Sequence, residues 1–463
     1  MKIKNIFQYI NFKIIMIFII IIFLIFLFKI YWISNNIIYP NIKISEIEVG
    51  GLTKDQARIK LKQLIQHNKK EKSLIFCYQG EKWKVPYKNF KHQYDIEKTI
   101  DRVYYLGKNG NFLNRIRNYF YFKNREINVP LETIIDSTEI EKIIKQLAQE
   151  INIQEEDAKI QLKDGKINIL PQKKGRRLEE KKLEKMIEEH LQFFNQEWIQ
   201  LPVKETFPKI TQQDLNSING KIASFSTYFN SQKKQRVENL RVASRKIDGK
   251  ILLPGEILSV NKSIGPITKE NGYKDAPVIV NGKLQTDIGG GVCQVSTTLY
   301  NAAVRANLQI VERQHHSMPV SYVPLGQDAA IAGNWKDLKI KNNLDESVYI
   351  EMYLKGNQLI ANLYSNQDFK QEIDLETELV STISPEVIYK KDFSKNISYK
   401  KVEQEGKKGY RVHVYKIWYK NGKVKKRQLL HKDYYPPVDR IMIIGQKKRR
   451  NRRILEMEKG YNV

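Results

Sequence analysis

Apolar residues run without a break from Ile14 to Phe28, and Ile30, Tyr31, Trp32 and Ile33 carry the run past Lys29. About 20 such residues in a helix rise roughly 30 Å, enough to cross a bilayer. Lys29 can snorkel outward along its own stem. Lys2, Lys4 and Lys13 lie before or at the start of the run, and Tyr31 and Trp32 sit where interfacial aromatics are expected. The pattern predicts a membrane-spanning helix over 13–34, a cytoplasmic N-terminus over 1–12 and the remaining chain outside. No small-x-small cleavage site follows in Tyr31–Asn36, which favours an uncleaved anchor.

Beyond residue 40 the periodicity alternates between strand and helix. Thr53-Lys54-Asp55-Gln56 has the form of a capping box, and it opens a helix through Leu61, Leu64 and Ile65. Leu74–Tyr78 and Trp83–Tyr87 read as strands around Gln79-Gly80, with a helix near Ile96–Leu106. The same order returns in Lys159–Leu162 and Lys166–Leu170 around Asp164-Gly165, with a helix near Leu178–Phe194. Aligning Gly80 with Gly165 predicts two related α+β modules, 40–125 and 126–210, although a hairpin followed by a helix also arises without duplication. Glycine and proline then punctuate 211–370 more densely. Residues 371–445 read as all-β, with Tyr410–Tyr419 and Lys423–Leu429 flanking an Asn421-Gly422 turn. A basic run, Lys447–Arg453, marks an exposed tail over 446–463. The expected fold class is a multidomain α+β protein behind a single N-terminal transmembrane helix, ending in a small all-β domain.

A chain of 463 residues exceeds one hydrophobic core, and about three domains of roughly 100–150 residues suit it. A formal charge of +28 favours polyanions in general or simply a solvated lysine-rich surface. The membrane segment narrows the choice, because chain outside the cytoplasm rarely meets nucleic acid. The partners expected there are the cytoplasmic membrane and anionic wall polymers, with no nucleic acid. Cys77 and Cys293 are the two cysteines, too few for a disulfide framework, though a bridge between them is compatible with an oxidising compartment. No CxxC or HExxH pattern occurs, so no metal and no cofactor is expected.

Chemistry concentrates in the third quarter of the chain. Gly289-Gly290-Gly291 permits tight or positive-φ backbone, and Val295, Leu299, Ala302, Ala303 and Ala306 follow at helical spacing. Cys293 is thereby placed at a helix N-terminus, where the helix dipole and free N–H groups favour a thiolate. Ile310–Arg313 reads as a strand leading into Gln314-His315-His316-Ser317, and Asp328 follows a turn at Gly326. Cysteine, histidine, then carboxylate is the order needed for a base to activate a thiol and an acid to orient the base. A packed structural thiol and ordinary surface histidines fit the same residues. Ser296 lies one helical turn from Cys293 and would line the same pocket, but no G-x-S-x-G elbow surrounds it.

These residues resemble the VanW family, named for an accessory protein of glycopeptide-resistance clusters in Gram-positive bacteria. The likeness runs from about Arg236 to Leu359. It is carried by Arg236-Val237-Glu238-Asn239-Leu240, Leu253-Pro254-Gly255-Glu256, Ser259-Val260-Asn261, Gly265-Pro266, Gly272-Tyr273, the triple-glycine Cys-Gln motif, Glu312-Arg313, His316-Ser317 and Tyr322-Val323. The family pattern of glycine, any residue, Asp-Ala-Thr-Val is here Gly326-Gln327-Asp328-Ala329-Ala330-Ile331, without its threonine. Ile47–Thr53 and the chain to Gly107 resemble the peptidoglycan-binding domain that often precedes VanW-like domains. Glu405-Gly406, Gly409 and Val438–Gly445 resemble the extracellular β domain called G-five.

The resemblance carries no established reaction. It implies a wall-associated binding or accessory role in wall maintenance or glycopeptide resistance, with Gly289, Gly290, Gly291, Gln294, Ser296, Arg313, His315 and Tyr322 as binding candidates. The alternative is a cysteine-dependent hydrolase or transpeptidase acting on stem peptides through Cys293. His316 would be its base, ahead of His315, and Asp328 its orienting acid; glycan strands offer a thiolate no acyl centre. A passive spacer between membrane and wall needs none of these residues.

Overall fold

The computed structural model describes residues 2–71, 73–134, 136–163, 166–193, 198–280 and 283–447. The Asp164-Gly165 turn and the basic run from Lys448 onward lie outside the described residues. The described chain forms two compact units, one holding the chain up to Glu156 with Lys173–Pro208, the other Asp157–Gln172 with the chain from Lys209 onward.

The first unit begins with the helix Lys2–Asn36. Its stretch Phe12–Ile33 has a mean hydropathy of 3.1 and is long and apolar enough to cross a membrane. The Thr53 capping box is present: Thr53 Oγ1 accepts from the Gln56 N–H at 3.3 Å, and Gln56 Oε1 accepts from the Thr53 N–H at 3.0 Å. The helix it opens, Lys54–Glu71, buries Ala57, Leu61 and Ile65, whereas Leu64 is exposed. Ser73–Tyr78 and Glu81–Pro86 form the expected hairpin, with positive φ at Gln79 and Gly80.

The unit holds two cores that interleave along the sequence. Ile42–Ile44 pairs in parallel with Ile127–Val129 over a core drawn from residues 38–65 and 100–131. The Ser73–Tyr78 strand pairs in parallel with Trp198–Gln200, and its Leu74 and Phe76 pack with the helices Ser137–Ile151 and Glu180–Phe193. Each core takes residues from both sides of position 125, so the expected division there does not separate them. The Lys159–Lys163 and Lys166–Leu170 hairpin belongs to the second unit, where its apolar residues pack against Leu215, Ile218 and Tyr349. The two hairpins read as copies therefore have different surroundings.

The second unit is built on an antiparallel sheet in the spatial order Gly220–Tyr228, Gln358–Ser365, Val348–Lys355, Ile251–Leu252. The helices Lys234–Ile247 and Val292–Arg305 pack on it. Val292–Arg305 is buried on nearly every face. A helix so placed must satisfy its polar side chains internally, and Gln294, Ser296, Thr297, Thr298 and Asn301 all hydrogen-bond to protein groups.

Described residues from 372 onward are all-β. Glu372–Ile383, Gly409–Lys420 and Lys423–Tyr435 form an antiparallel sheet, and Val387–Asn396, Arg440–Lys447 and Lys400–Gln404 form a second. Asn421 and Gly422, with φ of 52° and 71°, make the expected two-residue turn. Leu375, Val412, Val414 and Tyr435 share one apolar core with the Val292–Arg305 helix, so this sheet closes over that helix.

Candidate functional site

The triple-glycine loop sets the position of Cys293. A Cβ on Gly290 would lie 2.5 Å from the Ala276 carbonyl oxygen, which only glycine avoids, and Gly291 caps the helix at φ 111°. Asn239, wholly buried, clamps this loop. Its Nδ2 donates to the carbonyls of Lys274 (2.9 Å) and Gly290 (3.0 Å), while its Oδ1 accepts from the Lys274 N–H at 2.7 Å. Arg236, one turn earlier, donates to Gln294 Oε1 at 3.0 Å. Cys293 emerges as the second residue of its helix, half-buried, with its Sγ 3.4 Å from the Ile331 carbonyl.

His316 and Asp328 arrive on irregular chain beside that helix end. The Asp328 carboxylate is 1% exposed, and its Oδ2 accepts from both the His316 N–H at 2.7 Å and His316 Nδ1 at 2.6 Å. This leaves Nδ1 as the proton donor to Asp328, and the His316 imidazole and the Cys293 thiol each shift the other's proton affinity. Burial pushes the Cys293 thiol up, but the hydrogen bond and charge of His316, helped by Arg236, bring it below its ordinary value. Burial alone would lower His316, yet Asp328 and Cys293 raise it to about 9. Asp328 is held below the usual carboxylate range because His316 outweighs its burial. The arrangement favours a thiolate facing an imidazolium.

Two groups from the C-terminal sheet complete the support. Tyr435, wholly buried, donates its hydroxyl to Asp328 Oδ1 and accepts from the Gly326 N–H at 2.9 Å. Asp433 takes two hydrogen bonds from Arg313, at 3.0 Å from Nη1 and 2.7 Å from Nη2. Arg313 spends its remaining reach on the Asp328 and Gly326 carbonyls, at 2.7 and 2.9 Å. The loop carrying the acid is thereby pinned from both sides.

A family model described as "VanW like protein" matches residues 235–364, one described as "Putative peptidoglycan binding domain" matches 83–196, and one described as "G5 domain" matches 375–447. The uncharacterized protein YoaR of Bacillus subtilis (strain 168) is 34% identical over 249 residues, which cover 52% of this chain and 80% of YoaR. The chain belongs to the VanW-like family. The vancomycin B-type resistance protein VanW of Enterococcus faecalis is 32% identical over 139 residues, 29% of this chain and 50% of that protein. Two solved structures also match. One, titled "IgA1 Protease G5 domain structure", has 25% identity and a TM-score of 0.14 and covers 17% of this chain and 95% of that chain. The other, titled "Crystal structure of HP0197-G5", has 27% identity and a TM-score of 0.12 and covers 16% and 99%.

Within the VanW-like domain the structure thus brings Cys293, His316 and Asp328 together. Other candidates are placed differently. Ser296 does not line an open pocket: it is wholly buried and donates to the Ala329 carbonyl at 2.6 Å and the Cys293 carbonyl at 2.9 Å. Gln294 is equally committed, giving Nε2 to Thr227 and to the Tyr228 carbonyl. Arg313 is engaged by Asp433, His431 and the Asp328 and Gly326 carbonyls, and it lines a cavity together with His315 and His316. Gly289, Gly290 and Gly291 shape the loop, and a Cβ on Gly289 would meet Ile267. His315 bonds through Nδ1 to the His316 carbonyl and lines, with His316 and His431, a cavity of about 650 Å³. Tyr322 lines a separate cleft with Arg236 and Gln294.

Arg236, Asn239, Asp433 and Tyr435 were missed as functional positions. Arg236 and Asn239 stand in the Arg-Val-Glu-Asn-Leu segment, so a signal existed for them. Asp433 and Tyr435 carry none, because only folding brings residues more than 100 positions away onto Arg313 and Asp328. Among the described residues, no group of three or more His, Cys, Asp or Glu side chains is arranged to hold a metal ion. Cys77 and Cys293 are both free thiols.

Proposed function

We propose that this chain is a wall-facing cysteine acyl transferase that acts on peptidoglycan stem peptides. The observation that carries the reading is the hydrogen bond from His316 to the buried Asp328, together with the mutual influence of His316 and the Cys293 thiol at a helix start. The Cys293 thiolate attacks an amide carbonyl carbon, and the helix dipole and water-poor surroundings favour the tetrahedral oxyanion. His316 then gives its proton to the departing amine, the C–N bond breaks, and an acyl-thioester remains on Cys293. An incoming amine from a neighbouring peptide, or water, loses a proton to His316 and attacks the thioester. The thiolate leaves and is paired again with the imidazolium. An amine acceptor makes a cross-link, and water makes a trimmed stem.

Location and chemistry support each other in this reading. The apolar N-terminal helix, preceded by lysines, anchors the chain with its bulk outside the cytoplasm. The region matching the peptidoglycan-binding model, aided by a charge of +28, holds the catalytic domain against the wall. A part in wall maintenance follows, with glycopeptide resistance as one setting in which altered stems would matter. The full-length Cys293→Ala protein separates the two roles. In a strain carrying it, stem-peptide composition should match that of a strain lacking the protein, while the variant still cosediments with isolated walls. Unchanged composition in both strains would remove the enzyme reading, and failure to cosediment at low and moderate salt would remove the wall-binding part.

A further inference from the structure

Beside the Cys293 helix start lies a cleft of about 700 Å³, distinct from the cavity under His316. Among the described residues that line it are the cations Lys233, Arg236 and Lys407 and no carboxylate. Of the nearest acids in sequence, Asp287, next to the lining residue Thr286, accepts from the Ile288 N–H at 2.7 Å, while Glu238, Asp275 and Glu405 pair with Arg241, Lys269 and Arg440. Tyr322 and Met318 give the cleft an apolar wall, and Gln285 and Thr286 face it with neutral polar groups. Such a lining suits an anion attached to a small organic body.

Cys293 is not among the described lining residues, but Arg236 and Tyr322, which are, act on the thiol. Arg236 passes directly over Gly291, where a Cβ would lie 3.0 Å from its Cγ and 3.3 Å from its Nη1. Its charge is one of those felt by Cys293. Tyr322 interacts with Thr297, one turn along the same helix, and also feels the Cys293 charge. Lys233 stands at the N-cap of the helix that carries Arg236, and Lys407 approaches from the C-terminal sheet next to Met318. Both lysines are exposed, so their charges are available to a ligand without costing the fold a buried partner.

We propose that this cleft is a carboxylate subsite, which receives a free carboxyl group of the peptide while its neighbouring carbonyl is presented to Cys293. The substrate assignment rests on the acyl-transfer reading, but the anion preference can be measured without turnover. Lys233 and Lys407 set specificity by attracting the carboxylate, and Arg236 joins its far end to the reacting thiol. Two domains thereby contribute to one recognition site.

The test compares iodoacetate with iodoacetamide, which differ mainly in charge, on the full chain in an uncharged detergent. Modification is followed by mass spectrometry at Cys293 and, as an internal reference, at Cys77. The acetate-to-acetamide rate ratio at Cys293 should exceed that of the same thiol in the unfolded chain by about tenfold, the scale of one well-placed charge pair. Lys233→Gln with Lys407→Gln should remove most of that excess while leaving the iodoacetamide rate unchanged. N-acetylalanine should slow the iodoacetate reaction, whereas its amide should not, and inorganic phosphate should slow it no more than chloride does. A ratio equal to that of the unfolded chain, or one unmoved in the double variant, overturns the subsite. Equal competition by phosphate overturns the carboxylate assignment. Absence of any thioester on Cys293 despite these preferences would instead count against acyl transfer.

Discussion

Replacing His316 with glutamine should lower acyl transfer by roughly 10²–10⁴-fold, the usual contribution of a positioned acid-base group. The loss has two parts. Glutamine cannot carry the proton to the leaving amine, and it cannot hold Cys293 as a thiolate. The thiol lies below its ordinary pKa because His316 offsets the upward push of burial. Without the imidazolium the upward push of burial is opposed only by the smaller effects of the Ile331 backbone and Arg236. In the wild type the thiolate–imidazolium pair exists above the lowered Cys293 value and below about 9, where His316 gives up its proton. Iodoacetamide should therefore modify wild-type Cys293 at an almost constant rate through neutral pH, while turnover falls above about 9 as the acid is lost. In His316→Gln, alkylation should be slow at neutral pH and rise with pH. A variant whose rate profile matches the wild type would show that His316 does not govern the thiol. Tyr435→Phe should move the same profile less, since it removes one donor from Asp328 and leaves the His316 contact in place.

Arg313→Leu should destabilise the second unit by about 3–5 kcal/mol, the cost of leaving a buried charge without its partner. Asp433 is 6% exposed and takes two hydrogen bonds from Arg313. His431 remains beside it, with Nδ1 at 3.2 Å, but burial lowers the pKa of that imidazole, so it is a poor replacement charge. The Asp328 and Gly326 carbonyls also lose their donor. A penalty of this size is a large share of the roughly 5–15 kcal/mol that holds a typical domain. Lysine is no substitute, because its single ammonium cannot reproduce the guanidinium fork. Removing both charges in Arg313→Leu/Asp433→Leu should recover part of the loss. Denaturant unfolding followed by tryptophan fluorescence measures both variants, and a shift under about 1 kcal/mol for Arg313→Leu would show that the pair is not a structural strut.

Local signals in the chain were readable wherever a few neighbouring residues decide the geometry. Thr53 with Gln56, the Asn421-Gly422 turn and the glycine run before Cys293 each act within a turn or two, and their elements form where expected. Longer-range pairing was not readable in the same way. Parallel partners such as Ile42–Ile44 with Ile127–Val129 are separated by more than 80 residues, so the pattern of hairpins suggested successive modules where the strands interleave. The helix Phe112–Lys123 went unnoticed because aromatic residues dilute its amphipathic stripe. At the site, residue order pointed to Cys293, His316 and Asp328, but burial sorted the remaining candidates. Ser296 and Arg313 look like ligand contacts in sequence, yet their hydrogen-bonding atoms face inward. Tyr435 had the opposite fate, an ordinary tyrosine near the end of a β hairpin that folding delivers to a buried carboxylate.

Covalent catalysis by Cys293 is tested most directly by the intact mass of the protein after brief exposure to a stem tetrapeptide. The expected result is an added mass equal to the peptide acyl group, located on Cys293 by fragmentation, released by hydroxylamine, absent in Cys293→Ala and slow to form in His316→Gln. No adduct and no released amine from a folded protein whose Cys293 still reacts with iodoacetamide at neutral pH would contradict it.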